Sequence, residues 1–256
     1  MKQTKIALAV ILLAVACLFS ACTSLPALEQ DRNGYTDGST GVRYVFASQN
    51  YLALSIGEDA ITRIARKTAG DILLYEIEGL STARFLTTER GELVYADSLT
   101  LPKLWEMQVT SFGIFPVQAA HLSIATVKEE DVINGVIDSY RTGEFFEKSQ
   151  ILAGMSAVSY ELKFTAGGDY AGIGYSLYYL HYDKDVCIYD TVEDRETYQS
   201  IYPSMAPTFE EFTYTDDEGN EQVELLAVYN FGTELLYDRA TGLCCAAGDW
   251  LVSYLQ

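Results

Sequence analysis

From Val42 to Tyr254 the apolar positions fall in short β-branched and aromatic runs, broken by turn residues at a spacing of about 8–12. That is the signature of strands and hairpins, because successive side chains on a strand point to opposite faces. Val42–Ser48 and Tyr51–Ile56 are separated by Gln49-Asn50, and Ile61–Arg66 and Asp71–Ile77 by Thr68-Ala69-Gly70. Phe85–Thr88 and Glu92–Ala96 flank Arg90-Gly91. The second half reads as an antiparallel meander. Ala157–Thr165 and Tyr170–Tyr182 flank Ala166-Gly167-Gly168-Asp169, and Asp183-Lys184-Asp185 turns into Val186–Thr191. Phe209–Thr215 and Gln222–Tyr229 flank the loop Asp216–Asn220, and Glu234–Tyr237 and Leu243–Tyr254 flank Asp238-Arg239-Ala240-Thr241-Gly242. In this last loop the Asp carboxylate and Thr hydroxyl are expected to bond nearby backbone N–H groups, with Gly242 at the positive φ that closes the hairpin.

One segment changes period. Val132, Ile133, Val136, Ile137 and Tyr140 form a single stripe at helical spacing. Glu129, Glu130 and Asp131 stand at the start, where the positive end of the helix dipole favours them, and Arg141 stands near the end. Gly143 occupies the place of a left-handed cap, and Gly135 inside the stripe weakens the helix by about 1 kcal/mol relative to Ala. The expected fold class is therefore β-rich α+β: a twisted antiparallel sheet of hairpins with one amphipathic helix near 129–142 packed on it. Residues 42–256 are expected to form one domain, or two subdomains meeting near 120–150.

The N-terminal stretch follows a different rule. Lys2 and Lys5 precede the uncharged apolar run Ile6–Phe19, and small residues follow it, which describes a secretory signal peptide. Fourteen residues at about 1.5 Å each reach roughly 21 Å, short of the ~30 Å hydrocarbon core that a permanent span must cross. Phe19-Ser20-Ala21-Cys22 resembles the lipobox of bacterial lipoproteins, with Phe19 where Leu is usual. The resemblance covers the N-terminal stretch alone. It implies removal of residues 1–21, acyl chains on Cys22, and attachment to the bacterial cell membrane facing outside the cytoplasm. Cys17 is a second possible acceptor, which would shorten the apolar run to eleven residues. Residues 22–41, with Pro26, Asn33-Gly34 and Asp37-Gly38, read as a flexible tether between lipid and folded body.

Charge narrows the function classes. The chain has a formal net charge of −19, which argues against nucleic acid and anionic lipid surfaces as partners, since phosphate recognition needs Lys and Arg. Besides Cys22, the mature chain keeps Cys187, Cys244 and Cys245. An oxidising compartment permits a bridge from Cys187 to either member of the vicinal pair; three unbonded core cysteines are the alternative. With no C-x-x-C spacing and no histidines nearby, a zinc site is not expected.

Catalytic signatures are absent from the sequence. The two histidines are His121 and His181, and no serine stands in a G-x-S-x-G elbow or an S-x-x-K motif. Carboxylates are abundant enough that paired-acid hydrolysis of a glycan or peptide stays open. Residues 183–224 hold 13 acids and two bases, and Asp216–Glu221 offers oxygen ligands in a loop, but the pattern fits a solvated hairpin tip better than a calcium loop. Tyrosine, at 19 residues, is the most unusual count. Tyr175, Tyr179 and His181 share one face of their strand and Tyr178 and Tyr182 the other, so an exposed tyrosine face is the candidate ligand surface. No metal and no cofactor is expected. The leading expectation is a non-enzymatic, membrane-anchored module that binds a protein, an envelope polymer or a small ligand; the alternative is an envelope-tethered hydrolase using carboxylates.

Overall fold

A computed structural model describes residues 28–30, 33–54, 66–67, 73–120, 122–201 and 207–255. The signal peptide, Cys17, Cys22, His121 and most of the Ile61–Arg66 run lie outside the described residues. The chain is β-rich with antiparallel sheets, as its periodicity predicts.

The described residues divide into two compact units, the first holding those of 28–46 and 66–99 and the second those of 47–54 and 100–255. The division falls at 99/100, and the helix near 130 belongs wholly to the second unit. From Leu28 the chain forms β1 (Leu28–Gln30), β2 (Gly34–Asp37) and β3 (Arg43–Phe46). It then gives one strand, β4 (Tyr51–Ala53), to the second unit and returns with β5 (Arg66–Lys67), β6 (Leu73–Tyr75), β7 (Phe85–Thr88) and β8 (Leu93–Ala96). The first sheet has the order β1-β2-β3-β8-β7-β6-β5. Leu28, Tyr35, Tyr44, Leu74, Leu86 and Val94 form its core.

Two expectations are corrected here. Residues 28–30 and 34–37 are paired strands instead of tether, and Leu28 and Tyr35 are fully buried. Gly34, taken as half of a tether turn, opens β2 opposite Val45, and glycine is required there because a Cβ would lie 1.9 Å from the Tyr44 carbonyl oxygen. Tyr51–Ala53 does not pair with the strand before it. It lies on the second unit's main sheet, where the Tyr51 ring meets Tyr175 edge-on at 5.0 Å and its hydroxyl donates to the Pro102 carbonyl at 2.8 Å.

The second unit continues with β9 (Val109–Pro116), β10 (Ala125–Val127), α1 (Glu130–Thr142), β11 (Phe146–Glu147), β12 (Ala157–Ala166) and β13 (Ile173–Tyr182). After β14 (Cys187–Val192) come α2 (Arg195–Ile201), β15 (Thr208–Thr215), β16 (Glu221–Asn230), β17 (Glu234–Asp238) and β18 (Leu243–Ala246). The main sheet runs β10-β9-β12-β13-β17-β18-β11 with β4 beside β13, and a smaller sheet runs β14-β16-β15. The meander thus changes sheets at Asp183–Asp185 instead of continuing in one.

Three layers result. Leu180, Tyr182, Leu235 and Cys244 of the main sheet pack against Ile188, Val192, Ala227 and Tyr229 of the smaller one. On the opposite face lies α1, which buries Ile133, Val136, Ile137 and Tyr140, four of the five stripe residues. Gly143 does end α1, but with φ −64°, so no left-handed cap forms. Glycine is required there by space: a Cβ would come within 2.6 Å of the Ser139 carbonyl and 2.8 Å of Cys245 Cβ. The final strand stops at Ala246, well before Tyr254, where the chain turns through Gly248 at φ +69°. The sequence reading also passed over α2. Its start is marked by Asp194, whose carboxylate accepts from the amides of Glu196 (2.9 Å) and Thr197 (3.3 Å).

Candidate functional site

Tyr175, Tyr179 and His181 share one face of β13, as alternation requires, yet that face is no exposed tyrosine surface: Tyr175 and Tyr179 are buried and His181 alone is exposed. β13 is central in a sheet covered on both sides, so its tyrosines are core residues whose hydroxyls need partners.

Tyr175 joins a buried polar network. Asn50 Nδ2 donates to the Tyr175 hydroxyl at 3.0 Å and to Asp238 Oδ1 at 2.6 Å, and the Tyr140 hydroxyl donates to Asp238 Oδ2 at 2.6 Å. The Asp238 carboxylate also accepts the amides of Ala240 (2.8 Å) and Thr241 (3.2 Å). Burial pushes the carboxyl pKa of Asp238 up, but the bonds from Tyr140, Asn50 and the two amides outweigh it and hold the group below its ordinary value. Burial, with the adjacent carboxylate, raises the Tyr140 hydroxyl so that it stays a donor. A carboxylate so fully engaged is a structural acceptor that ties α1, β17 and the turn before β4 together.

Tyr179 and His181 converge on a second carboxylate, Glu234 of β17. The Tyr179 hydroxyl donates to Glu234 Oε2, Thr233 Oγ1 donates to Oε1 at 3.3 Å, and His181 Nδ1 lies 2.6 Å from Oε1. The His181 side chain is 50% exposed and Glu234 12%. A carboxylate on Nδ1 fixes the imidazole ring, the arrangement by which acid–base histidines are oriented. Nucleophilic catalysis also needs a hydroxyl or thiol on the other ring nitrogen, and among the described residues none is bonded to it. The carboxyl groups of Glu129, Asp194, Asp216 and Asp238 are all shifted down, in each case by hydrogen bonds.

Among the described residues, no three His, Cys, Asp or Glu side chains are grouped to hold a metal ion. Asp216 shows why its loop is a turn: its carboxylate accepts the amides of Glu218 (3.0 Å) and Asn220 (2.8 Å) and the Gln222 side chain (2.9 Å). Cys187, Cys244 and Cys245 are free thiols. The vicinal pair splits by strand alternation, Cys244 facing the small sheet and Cys245 facing α1, where its thiol approaches the Ser139 carbonyl at 3.8 Å.

The surface that sequence reasoning missed lies on the small sheet. In antiparallel register Tyr214 stands opposite Gln222, Phe212 opposite Glu224, Glu210 beside Leu226 and Thr191, and Thr208 beside Val228 and Tyr189. These residues share the face opposite Ala227 and Tyr229, and all but the buried Val228 are exposed or partly so. Phe212 is 53% exposed, Tyr189 46% and Tyr214 37%, and the Phe212 and Tyr214 rings stack at 6.1 Å with 21° between planes. The other face of the hairpin tip is open too, with Val223 and Thr213 exposed. A signal was present: over Glu210–Thr215 neither alternating set is apolar enough for a core, so the aromatic residues had to face water. At the end of β14 an open groove of roughly 690 Å³ is lined by Val192, Glu193, Arg195, Glu211, Val223, Glu224 and neighbours. Arg195 is held over the Phe209 ring at 5.5 Å.

Among the described residues no helix is long and apolar enough to cross a membrane. Compared with protein-family models, with curated proteins and with solved structures, the chain matches none of them.

Proposed function

We propose that this protein is a non-enzymatic binding module, anchored by acyl chains on Cys22 and facing outside the cytoplasm, whose β15–β16 hairpin takes a protein partner. The observation that carries this reading is the stacked Phe212–Tyr214 pair, exposed on a ribbon with both faces in solvent. An isolated two-stranded ribbon is marginal in water, and aromatic side chains left on one contribute little to the fold while offering rigid, amphipathic contact area. The anchor rests on the lipobox resemblance at Phe19–Cys22. The His181–Glu234 pair does not favour the hydrolase reading to the same degree, because it lacks a bonded nucleophile among the described residues.

A photo-crosslinking residue at Phe212 should yield a discrete protein adduct in intact cells, whereas one at Leu152, exposed but outside the hairpin, should not. Equal adducts at both positions, or none at Phe212, would overturn the binding surface. Labelling with a fatty acid should mark the wild type and spare Cys22→Ser, which should also leave the membrane fraction. Label retained in that variant moves the acceptor to Cys17, and label absent from the wild type removes the anchor.

A further inference from the structure

The three strands of the small sheet are unequal in extent. β15 pairs with β16 from Glu221 to Val228, but β14 pairs with it only from Leu225 to Asn230. Glu221 to Glu224 therefore show one edge that no strand covers among the described residues. Four residues at about 3.3 Å each make an edge of roughly 13 Å. The groove opens at this step, lined by Val192 and Glu193 where β14 ends and by Val223, Glu224 and Leu225 of β16. A row of unpaired N–H and C=O groups beside an open groove is a template for another strand.

The side chains along the edge specify what that strand must be. Val223 and Leu225 project to one face and Gln222 and Glu224 to the other, so an added strand would need apolar side chains alternating with polar ones. Residues 208–230 contain seven acids and neither Lys nor Arg, so the polar positions call for positive charge. Glu193, Glu211 and Glu224 surround the groove, and its one base, Arg195, already lies over the Phe209 ring. A second copy of this hairpin would set acid against acid, which destabilises cross-strand pairs. We infer that the free edge of β16 at Glu221–Glu224 takes an extended, basic segment of a partner protein as an added antiparallel strand. The inference rests on the binding-module reading and names the chemistry of the partner.

The test uses the full chain and a synthetic peptide of alternating Lys and Val. The peptide should bind, should protect the amides of Glu221–Glu224 from hydrogen exchange, and should lose at least tenfold in affinity when alternate backbone nitrogens are methylated. Gln222→Lys with Glu224→Lys should weaken it by a similar factor; both sites are on the polar face of the hairpin tip, and an unchanged melting temperature verifies that the fold is intact. Equal binding of a Glu–Val peptide, indifference to N-methylation, binding of an oligosaccharide at this edge instead, or self-association of the chain through it would each overturn strand addition. If the Phe212 probe still gives its adduct in that event, the binding module stands and only the mode of docking fails. Loss of both results removes the module as well.

Discussion

A methyl group on Gly135 would lie 2.3 Å from the Trp250 ring, inside any real contact distance. Helix propensity alone favours Ala at this mid-helix position by about 1 kcal/mol, so the two effects oppose each other. The clash wins, since relieving it means displacing an indole that covers α1. Gly135→Ala should therefore destabilise the protein by about 1–3 kcal/mol, the usual range for overpacking. The check is a lower denaturation midpoint together with red-shifted tryptophan emission; a stabilised variant would mean that Trp250 yields freely. Gly34→Ala should be worse. The obstacle at 1.9 Å is the Tyr44 carbonyl, a backbone atom with no alternative rotamer, in the middle of a strand pair. Gly38→Ala, with nothing within 4 Å of the added carbon, should change stability by no more than about 0.5 kcal/mol and serves as the control.

The β17–β18 hairpin shows how a local device becomes a global one. Gly242 has φ +78°, its amide donates to the Asp238 carbonyl at 2.8 Å, and the Thr241 hydroxyl accepts the Leu243 amide at 3.3 Å. A Cβ on Gly242 meets nothing within 4 Å, so Gly242→Val measures backbone strain alone, about 1–3 kcal/mol, and Gly242→Asn should recover part of it. Asp238→Asn turns one acceptor into a donor facing Tyr140 or the turn amides, and should lose about 1–3 kcal/mol for the buried mismatch. Because the folded carboxyl pKa of Asp238 lies below its ordinary value, its contribution is present above about pH 4 and is lost as pH falls through the folded value. The stability gap between wild type and Asp238→Asn should thus be constant above about pH 5 and close towards pH 3; a gap independent of pH would place the charge elsewhere. This turn was legible in sequence because Asp-x-x-Thr-Gly solves its own hydrogen bonding within five residues. The stripe of α1 was legible for the same reason, its period being local. The transfer of Tyr51–Ala53 to β13, about 120 residues along the chain, was not legible, since alternation identifies a strand without identifying its neighbour. Likewise the placing of Tyr175, Tyr179 and His181 on one face was readable, but their burial depended on what covers that face, where Tyr140 of α1 meets Tyr175, while the second sheet closes over the opposite one. Phe212 and Tyr214 are marked in sequence by the lack of a coverable face on their strand, and the density of tyrosine, highest in β13, points elsewhere.

At the scale of the whole molecule, the interior carries ionisable groups that are neutral in the fold and become charged only at high pH. Cys244 and Cys245 are fully buried on opposite faces of β18, and burial pushes both thiols up to about 12 from an ordinary value near 9. Tyr140 and Tyr179 are raised by burial and by their carboxylate partners, Asp238 and Glu234. The stability these groups contribute is complete below their unfolded values and drains away as pH rises toward the folded ones, since the unfolded chain then releases protons that the native state holds. With an unfolded thiol near 9, the loss at pH 10 is about 1.4 kcal/mol per thiol, so about 3 kcal/mol for the pair. The tyrosines, with ordinary values near 10, begin to add to it around pH 10 and dominate only above it. Against a typical total of 5–15 kcal/mol that loss is large, and it acts on a chain of net charge −19, whose self-repulsion already opposes compaction. Urea denaturation at pH 7 and pH 10 should therefore show a drop of about 3 kcal/mol, and Cys244→Ala and Cys245→Ala should each remove about half of it even though both variants start from lower stability. The same burial requires that a thiol alkylating agent at pH 8 modify Cys187, which is partly exposed, well before Cys244 or Cys245. Rapid alkylation of all three in the native protein, with no alkaline loss of stability, would mean that the two faces of the main sheet are not closed as described.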